Sequence, residues 1–323
     1  MPWLLNFAYA CLIAAALPLL LYRRIRQGKY RTGWGEKLLG SLPKLKPSES
    51  RVWFHAVSVG EVLLLRGVIA ELRSRRPDVD VVLTTTTATG REVAVAHYPD
   101  LTVCYFPFDF SWAVRRAMHR LKPTAIVLAE LELWPNLITI ASHSGVRLAI
   151  VNGRLSEKSF RGYRKLRPFI RELLRRFDVI AVQNDAYASR FSALGAPHDR
   201  LAVTGSVKFD GVNTVRDNPR TNELRRAFGI DEDDLVFIAG STQHPEETYA
   251  LAAWRDLREQ FPSLRLILVP RHKERFEEVA KLVERQNLPL VRRSDRTSEP
   301  RPSGSDSSRD VPRNRSLTVA APN

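Results

Sequence analysis

From Arg51 onward, short β-rich apolar runs alternate with amphipathic helical stretches, and this alternation leaves few folds open. The runs at 52–54, 79–85, 102–106, 124–129, 147–151, 179–182 and 201–204 are rich in Val, Ile and Leu. Continuous apolar strands of this kind are buried on both faces. The segments 61–73, 111–121, 133–142 and 163–176 show the i, i+3, i+4 spacing of helices packed on a sheet. The pattern predicts a doubly wound α/β domain with parallel strands over residues 51–210. A polar linker at 211–220 follows, and the pattern restarts with strands at 235–239, 264–269 and 288–291 and helices at 246–260 and 274–286. Two consecutive α/β domains imply a cleft between them.

The second domain, 221–293, reads as incomplete, because doubly wound nucleotide-binding sheets commonly have about six strands. Beyond it, Ser, Pro, Arg and Asp dominate until Leu317. Such a segment cannot bury enough surface to offset its ordering entropy, so 294–323 is expected to be a disordered tail.

The apolar run from Trp3 to Leu21 is interrupted by Asn6 and Pro18, and Arg23, Arg24, Arg26, Lys29 and Arg31 follow it. A helix of about 20 residues spans the hydrocarbon layer. Residues 1–22 are therefore expected to be a membrane anchor, and 23–50 a basic juxtamembrane segment that keeps the body of the chain on the cytoplasmic side. A helix lying in the interface is the second possibility. A cleaved signal peptide fits worse, because its positive charge belongs before the apolar run. The whole chain carries 50 Lys+Arg against 35 Asp+Glu. That excess favours anionic partners, and the basic flank points to anionic membrane lipids. Aromatic residues are not interleaved with the basic ones in a nucleic-acid-binding motif, so no nucleic-acid partner is expected. Two cysteines, Cys11 and Cys104, support neither a disulfide framework nor a thiolate metal site.

Ligands of open α/β sheets sit at the carboxyl ends of strands. Three runs fall there in the first domain. His55-Ala-Val-Ser-Val-Gly-Glu61 delivers Glu61 as a base for a hydroxyl proton, or else as a favourable charge at a helix start. Glu130-Leu-Glu132-Leu-Trp-Pro-Asn136 crowds two acids beside an aromatic, or else forms a first-turn acid pair. Thr204-Gly-Ser-Val-Lys208-Phe-Asp210 offers Lys208 to developing negative charge, or simply one more solvated lysine. In the second domain, Gly240-Ser241-Thr242 can cradle a phosphate with backbone amides, and Pro270-Arg271-His272 places a guanidinium at the same edge. Glu246 and Glu247 read as ordinary first-turn acids. The sequence has no Walker loop, no G-x-G-x-x-G, no zinc-ligand spacing and no G-x-S-x-G.

The apolar N-terminal run, HAVSVGE, TTTTATG at 84–90, ELELWPN, VNGRLS at 151–156, TGSVKFD and LVPRH, taken in order, strongly resemble the 3-deoxy-D-manno-octulosonic acid (Kdo) transferases, over about residues 1–293. The resemblance implies a GT-B architecture, an acceptor-binding first domain, and transfer of Kdo from CMP-Kdo to a lipid A precursor with inversion. By it, Glu61 matches the general base, Glu130 and Lys208 match stabilisers of the transition state, and Pro270 with Arg271 match the start of the CMP site. No metal or other cofactor is implied. Gln243 stands where the family carries a His after the Gly-Ser-Thr turn, with His244 one place later. The family's Met-Gly-Glu and Gly-Gly-His-Asn runs, expected in roughly a hundred further residues, have no counterpart here. Two expectations follow: a chain with part of its CMP pocket missing and little transferase activity, or a non-catalytic membrane-associated remnant that binds acidic lipid.

Overall fold

The computed structural model describes residues 2–27, 32–210, 214, 215, 217–292 and 317–319. The chain divides into two compact units, Met1–Val212 and Asn213–Asn323.

The first unit opens with helices α1 (Pro2–Gln27) and α2 (Trp34–Leu39). A regular alternation follows: β1 (Arg51–Ala56), α3 (Val59–Arg75), β2 (Asp80–Thr85), α4 (Ala88–His97), β3 (Thr102–Tyr105), α5 (Ser111–Leu121), β4 (Ala125–Ala129), α6 (Pro135–His143), β5 (Arg147–Gly153), α7 (Glu157–Arg164), α8 (Arg167–Leu174), β6 (Val179–Val182), α9 (Asp185–Leu194) and β7 (Leu201–Val203). The seven strands form one parallel sheet in the order β3-β2-β1-β4-β5-β6-β7. Strand order reverses between β1 and β4, where the crevice of a doubly wound sheet opens.

Successive residues of β1 point to opposite faces. Trp53 joins Ile126, Leu128, Leu148 and Ile150 under α5, α6 and α8, while Phe54 joins Val81, Leu83, Leu65 and Ile69 under α3 and α4. Covering both faces removes the polar alternation of the strands, so they were easy to read in the sequence. The expected helix over 163–176 is two helices, broken at Lys165–Leu166 before Pro168. Pro168 has no N–H for the Arg164 carbonyl and its ring crowds that carbonyl, so one continuous helix fails, whereas in the first turn of α8 no such bond is needed.

In the second unit, α10 (Pro219–Phe228), β8 (Leu235–Thr242), α11 (Glu246–Leu257), β9 (Leu264–Pro270), α12 (Phe276–Glu284), β10 (Leu290–Arg292) and β11 (Leu317–Val319) build a four-stranded parallel sheet ordered β10-β11-β9-β8. The expected linker ends two residues early. Asn218 accepts a hydrogen bond from the Thr221 amide and Pro219 takes the first helical position, so 219 and 220 belong to α10. The expected disorder of 294–323 fails at Leu317–Val319. These residues pair with β9 on one side and β10 on the other, because a Leu-Thr-Val run suits a parallel ladder. Residues 294–316 and 320–323 lie outside the described residues.

Among the described residues, no helix is long and apolar enough to cross a membrane, so the expected spanning anchor is corrected. The physical reason lies in α1 itself. Asn6 is only 5% exposed and Tyr9 is half-buried, and both spend their polar groups on the first unit through Ser111, Asn136 and Asp109. Of the basic flank, Lys29 and Arg31 lie outside the described residues.

Arg51 ties the start of the central strand to its surroundings. Its side chain is buried and donates to the Asp80 carboxylate at 2.6 Å, the Lys46 carbonyl at 2.6 Å and the Leu121 carbonyl. Replacing Arg51 with Leu leaves two carbonyls and a carboxylate without this donor. It is expected to lower the stability of the protein by about 3 kcal/mol in urea denaturation.

Candidate functional site: a carboxylate cluster at the strand-order reversal

Glu61 and Glu130 follow β1 and β4, the two adjacent strands at the reversal. Ser58 caps α3, and Glu61 sits three residues on, in capping-box spacing. The Glu61 Oε1 accepts from the Ser58 hydroxyl at 2.9 Å and Oε2 from the Val57 amide at 2.9 Å. Burial raises its pKa above the ordinary glutamate value. The two donors work against that rise, and the negative charge of Glu130 adds to it.

Glu130 has a left-handed backbone, with φ 57°, and its amide extends the β4–β5 ladder to the Val151 carbonyl at 2.9 Å. A non-glycine residue held there costs of order 1–3 kcal/mol, which the surrounding ladder imposes. Glu132, two residues on, is strongly perturbed. Burial first, and then the charges of Glu61 and Glu130, push its carboxyl up to about 7. Tyr163 of α7 is near enough to feel Glu132, whose charge adds to burial in raising the phenol.

Behind the acids stands an aromatic wall. His55 is fully buried and stacked on Phe106 at 3.7 Å, and Trp134 lies 5.2 Å from Phe106. Burial pushes His55 down to about 3, against a bond between Nδ1 and the Thr84 carbonyl. It is therefore a neutral packing histidine at physiological pH. Asn152 closes the site from β5. It is fully buried with φ 56°, and its Oδ1 accepts from the Val207 amide at 3.1 Å. That bond draws the turn after β7 back across the strand ends. Lys208, in the turn Val207–Phe209, is exposed and lines a groove of about 520 Å³ along α3 with Gly60, Leu63, Arg66, Gly67 and Asp210. Among the described residues neither Arg66 nor Lys208 has an ion-pair partner.

The structure therefore brings Glu61 and Glu130 together and adds Glu132. Lys208 is not among them: it lines the groove along α3 that includes Gly60 but none of the three acids. Sequence reasoning named Glu132 only as one of a pair, and it missed Tyr163 and Asn152. The Asn was within reach, since Asn is the side chain that best tolerates left-handed backbone outside glycine.

In the second unit Ser241 is exposed with φ 59°, while Thr242 is buried and pairs in register with Pro270 across a bulge. The Thr242 carbonyl accepts from the Arg271 amide at 3.0 Å, and the Gln243 amide is taken by the Glu246 carboxylate at 2.8 Å. Arg271 and His272 are exposed at the end of β9. Glu247 is not an ordinary first-turn acid. It is 1% exposed and held by Arg275 through two bonds of 2.7 and 3.2 Å. Among the described residues, no group of three His, Cys, Asp or Glu side chains is arranged to hold a metal ion.

Residues 31–211, which include the whole carboxylate cluster, match the family model described as 3-deoxy-D-manno-octulosonic-acid transferase (kdotransferase). The chain belongs to the Kdo transferase family. It is 31% identical to the 3-deoxy-D-manno-octulosonic acid transferase of Haemophilus influenzae over 90% of this chain and 68% of that protein. It is 32% identical to a probable mitochondrial Kdo transferase of Arabidopsis thaliana over 84% of this chain and 62% of the relative. A bifunctional glycosyltransferase/methyltransferase of Fusobacterium nucleatum is 31% identical over 86% of this chain and 43% of its own length. The chain thus spans about two thirds, or less, of these relatives. Among solved structures, the UDP-GlcNAc 2-epimerase of Neisseria meningitidis shares the fold with a TM-score of 0.54 at 12% identity, covering 73% of this chain and 68% of that one. The Anabaena protein HepE shares it with a TM-score of 0.51 at 15% identity, over 84% and 69%. The Kdo transferase fold of this chain is GT-B-like α/β with parallel sheets.

Two outcomes follow for this family member. The folded-state pKa of Glu132 lies above its unfolded value, so the folded protein binds the proton more tightly, and stability falls as pH rises from about 4.5 to about 7. In Glu132→Gln that fall is expected to be shallower, read as melting temperature against pH. Glu130→Gly relieves the left-handed strain, so its melting temperature should be unchanged or higher.

Proposed function

We propose that this protein transfers Kdo from CMP-Kdo to a sugar hydroxyl of a lipid A precursor, in lipopolysaccharide biosynthesis. The observation that carries the reading is the carboxylate cluster at the strand-order reversal, within the part of the chain matched by the Kdo transferase family model. Burial and the neighbouring negative charge of Glu130 raise the basicity of Glu61, as a general base requires. In the proposed step Glu61 takes the proton of the acceptor hydroxyl as its oxygen bonds to the anomeric carbon of Kdo. The bond from that carbon to the CMP phosphate oxygen breaks with its electron pair going to CMP, and the configuration inverts. In the first unit Lys208 is the candidate cation for the departing phosphate; in the second, Ser241, Thr242, Pro270, Arg271 and His272 are the candidate donor contacts.

We place the reaction at the cytoplasmic face of the bacterial inner membrane, with α1 lying in the interface. Trp3, Leu4 and Phe7, in the first two turns of α1, are 82%, 73% and 71% exposed. Exposed apolar side chains in a helix whose sequence ends in basic residues suit an anionic lipid surface.

The test is transfer of radiolabelled Kdo from CMP-Kdo to lipid A precursor by the purified protein. Glu61→Gln should lower the rate about a hundredfold or more while acceptor binding persists. The acidic limb of the rate profile should lie above the ordinary glutamate range, because a protonated Glu61 cannot accept. Equal transfer by both proteins would remove Glu61 from the mechanism. No transfer by either, with lipid binding intact, would favour a non-catalytic lipid-binding protein.

A further inference from the structure

We propose that Asn6 and Tyr9 of α1 are positioning residues for the carboxylate cluster. They act through a buried polar latch that holds the start of α6, and with it the segment carrying Glu130 and Glu132. The inference rests on the reading of that cluster as the reaction site.

Several helix starts in this unit lack caps of their own, those of α5 and α6 among them. The N-cap of α5 is Phe110 and that of α6 is Trp134, and neither offers a capping side chain. Both are served from elsewhere. Asn6 Oδ1 accepts from the Ser111 amide at 3.0 Å, and Asn6 Nδ2 donates to the Ser111 hydroxyl at 2.8 Å, so α1 caps α5 across 105 residues of sequence. Asp109 is 3% exposed and caps α6, accepting from the Asn136 and Leu137 amides, each at 2.8 Å. Asn136 Nδ2 then donates to the Asp109 carbonyl and to Asn6 Oδ1, the latter at 3.3 Å. Tyr9 donates its hydroxyl to Asp109 Oδ2 at 3.1 Å, and its ring meets Phe110 edge-on at 6.1 Å. Asn6 and Tyr9 are three residues apart and so share one helix face.

The junction reaches the acids by two routes. Along the chain, Glu132 precedes the α6 cap Trp134 by two residues. The irregular stretch 130–134 is pinned at one end by the bond from the Glu130 amide to Val151, and at the other by the latch. Across space, Phe106 leads into the Asp109 turn and carries Trp134 and His55 against its ring. An α1 that swings away takes an acceptor from α5, a partner from Asn136 and a donor from Asp109. Burial already pushes the Asp109 carboxyl up to about 7, and the loss of the Tyr9 donor leaves it worse solvated. The stretch 130–134 then loses its fixed end. Placement errors of about 1 Å at a reacting group can cost about a hundredfold in rate.

The experiment uses the full chain with Asn6→Ala, Tyr9→Phe and Asn6→Asp. The last keeps the acceptor that Ser111 and Asn136 use. Amide hydrogen exchange is followed at 130–137, with the β5 stretch Arg147–Gly153 as internal reference, and kcat and KM for Kdo transfer are measured alongside. We expect exchange at 130–134 to quicken at least tenfold in Asn6→Ala and several-fold in Tyr9→Phe, with β5 unchanged. We expect kcat to fall about tenfold at unchanged KM for CMP-Kdo, and partial rescue in Asn6→Asp. Unchanged exchange at 130–134 in Asn6→Ala overturns the proposal, and so does quickened exchange with kcat intact. Quickening spread equally over β5 also overturns it, since that is general loss of stability. If Glu61→Gln leaves transfer intact, the assignment of the reaction site fails instead, while the exchange data still decide whether the latch holds the loop.

Discussion

The reversal of strand order between β1 and β4 is the constraint on which the first unit depends. Parallel strands bring their carboxyl ends to one edge, and the reversal sends the following helices to opposite faces, leaving a gap between adjacent strands. Glu61 enters that gap from one side, and Glu130 with Glu132 from the other. Burial raises the proton affinity of Glu61 and Glu132, and the like charges beside them add to the effect. The acids are neighbours only because of sheet topology, since 69 residues of chain separate Glu61 from Glu130 and the strands β2 and β3 lie between them in sequence.

Stability and chemistry pull against each other at this edge. Glu61 serves α3 as a capping-box carboxylate, and Glu130 keeps a backbone that glycine would adopt more cheaply. Neither feature is needed to fold a doubly wound sheet. Asn152 repeats the pattern on β5, where a left-handed and fully buried side chain holds the turn that carries Lys208. Each of these residues takes on a local cost, and the fully packed sheet behind them is rigid enough to impose it.

Much of this was legible in the sequence, for a physical reason. Strands buried on both faces appear as unbroken aliphatic runs, and strand ends mark where ligands sit, so the runs containing Glu61, Glu130 and Lys208 stood out. What stayed hidden depends on contacts distant in sequence. Asn6 looked like an interruption in an apolar helix, because nothing nearby in sequence shows that Ser111 and Asn136 will satisfy it. Glu247 looked like a first-turn acid until Arg275, 28 residues on, paired with it. The short strand Leu317–Val319 was lost in a polar segment, since three residues are too few for any periodicity to register.

The hydrogen bonds of Glu61 also carry stereochemical information. A carboxylate offers about four lone-pair directions, two on each oxygen, and the Ser58 hydroxyl and the Val57 amide occupy one on either atom. Anything that donates a proton to this group must come in along one of the remaining directions, one on each oxygen.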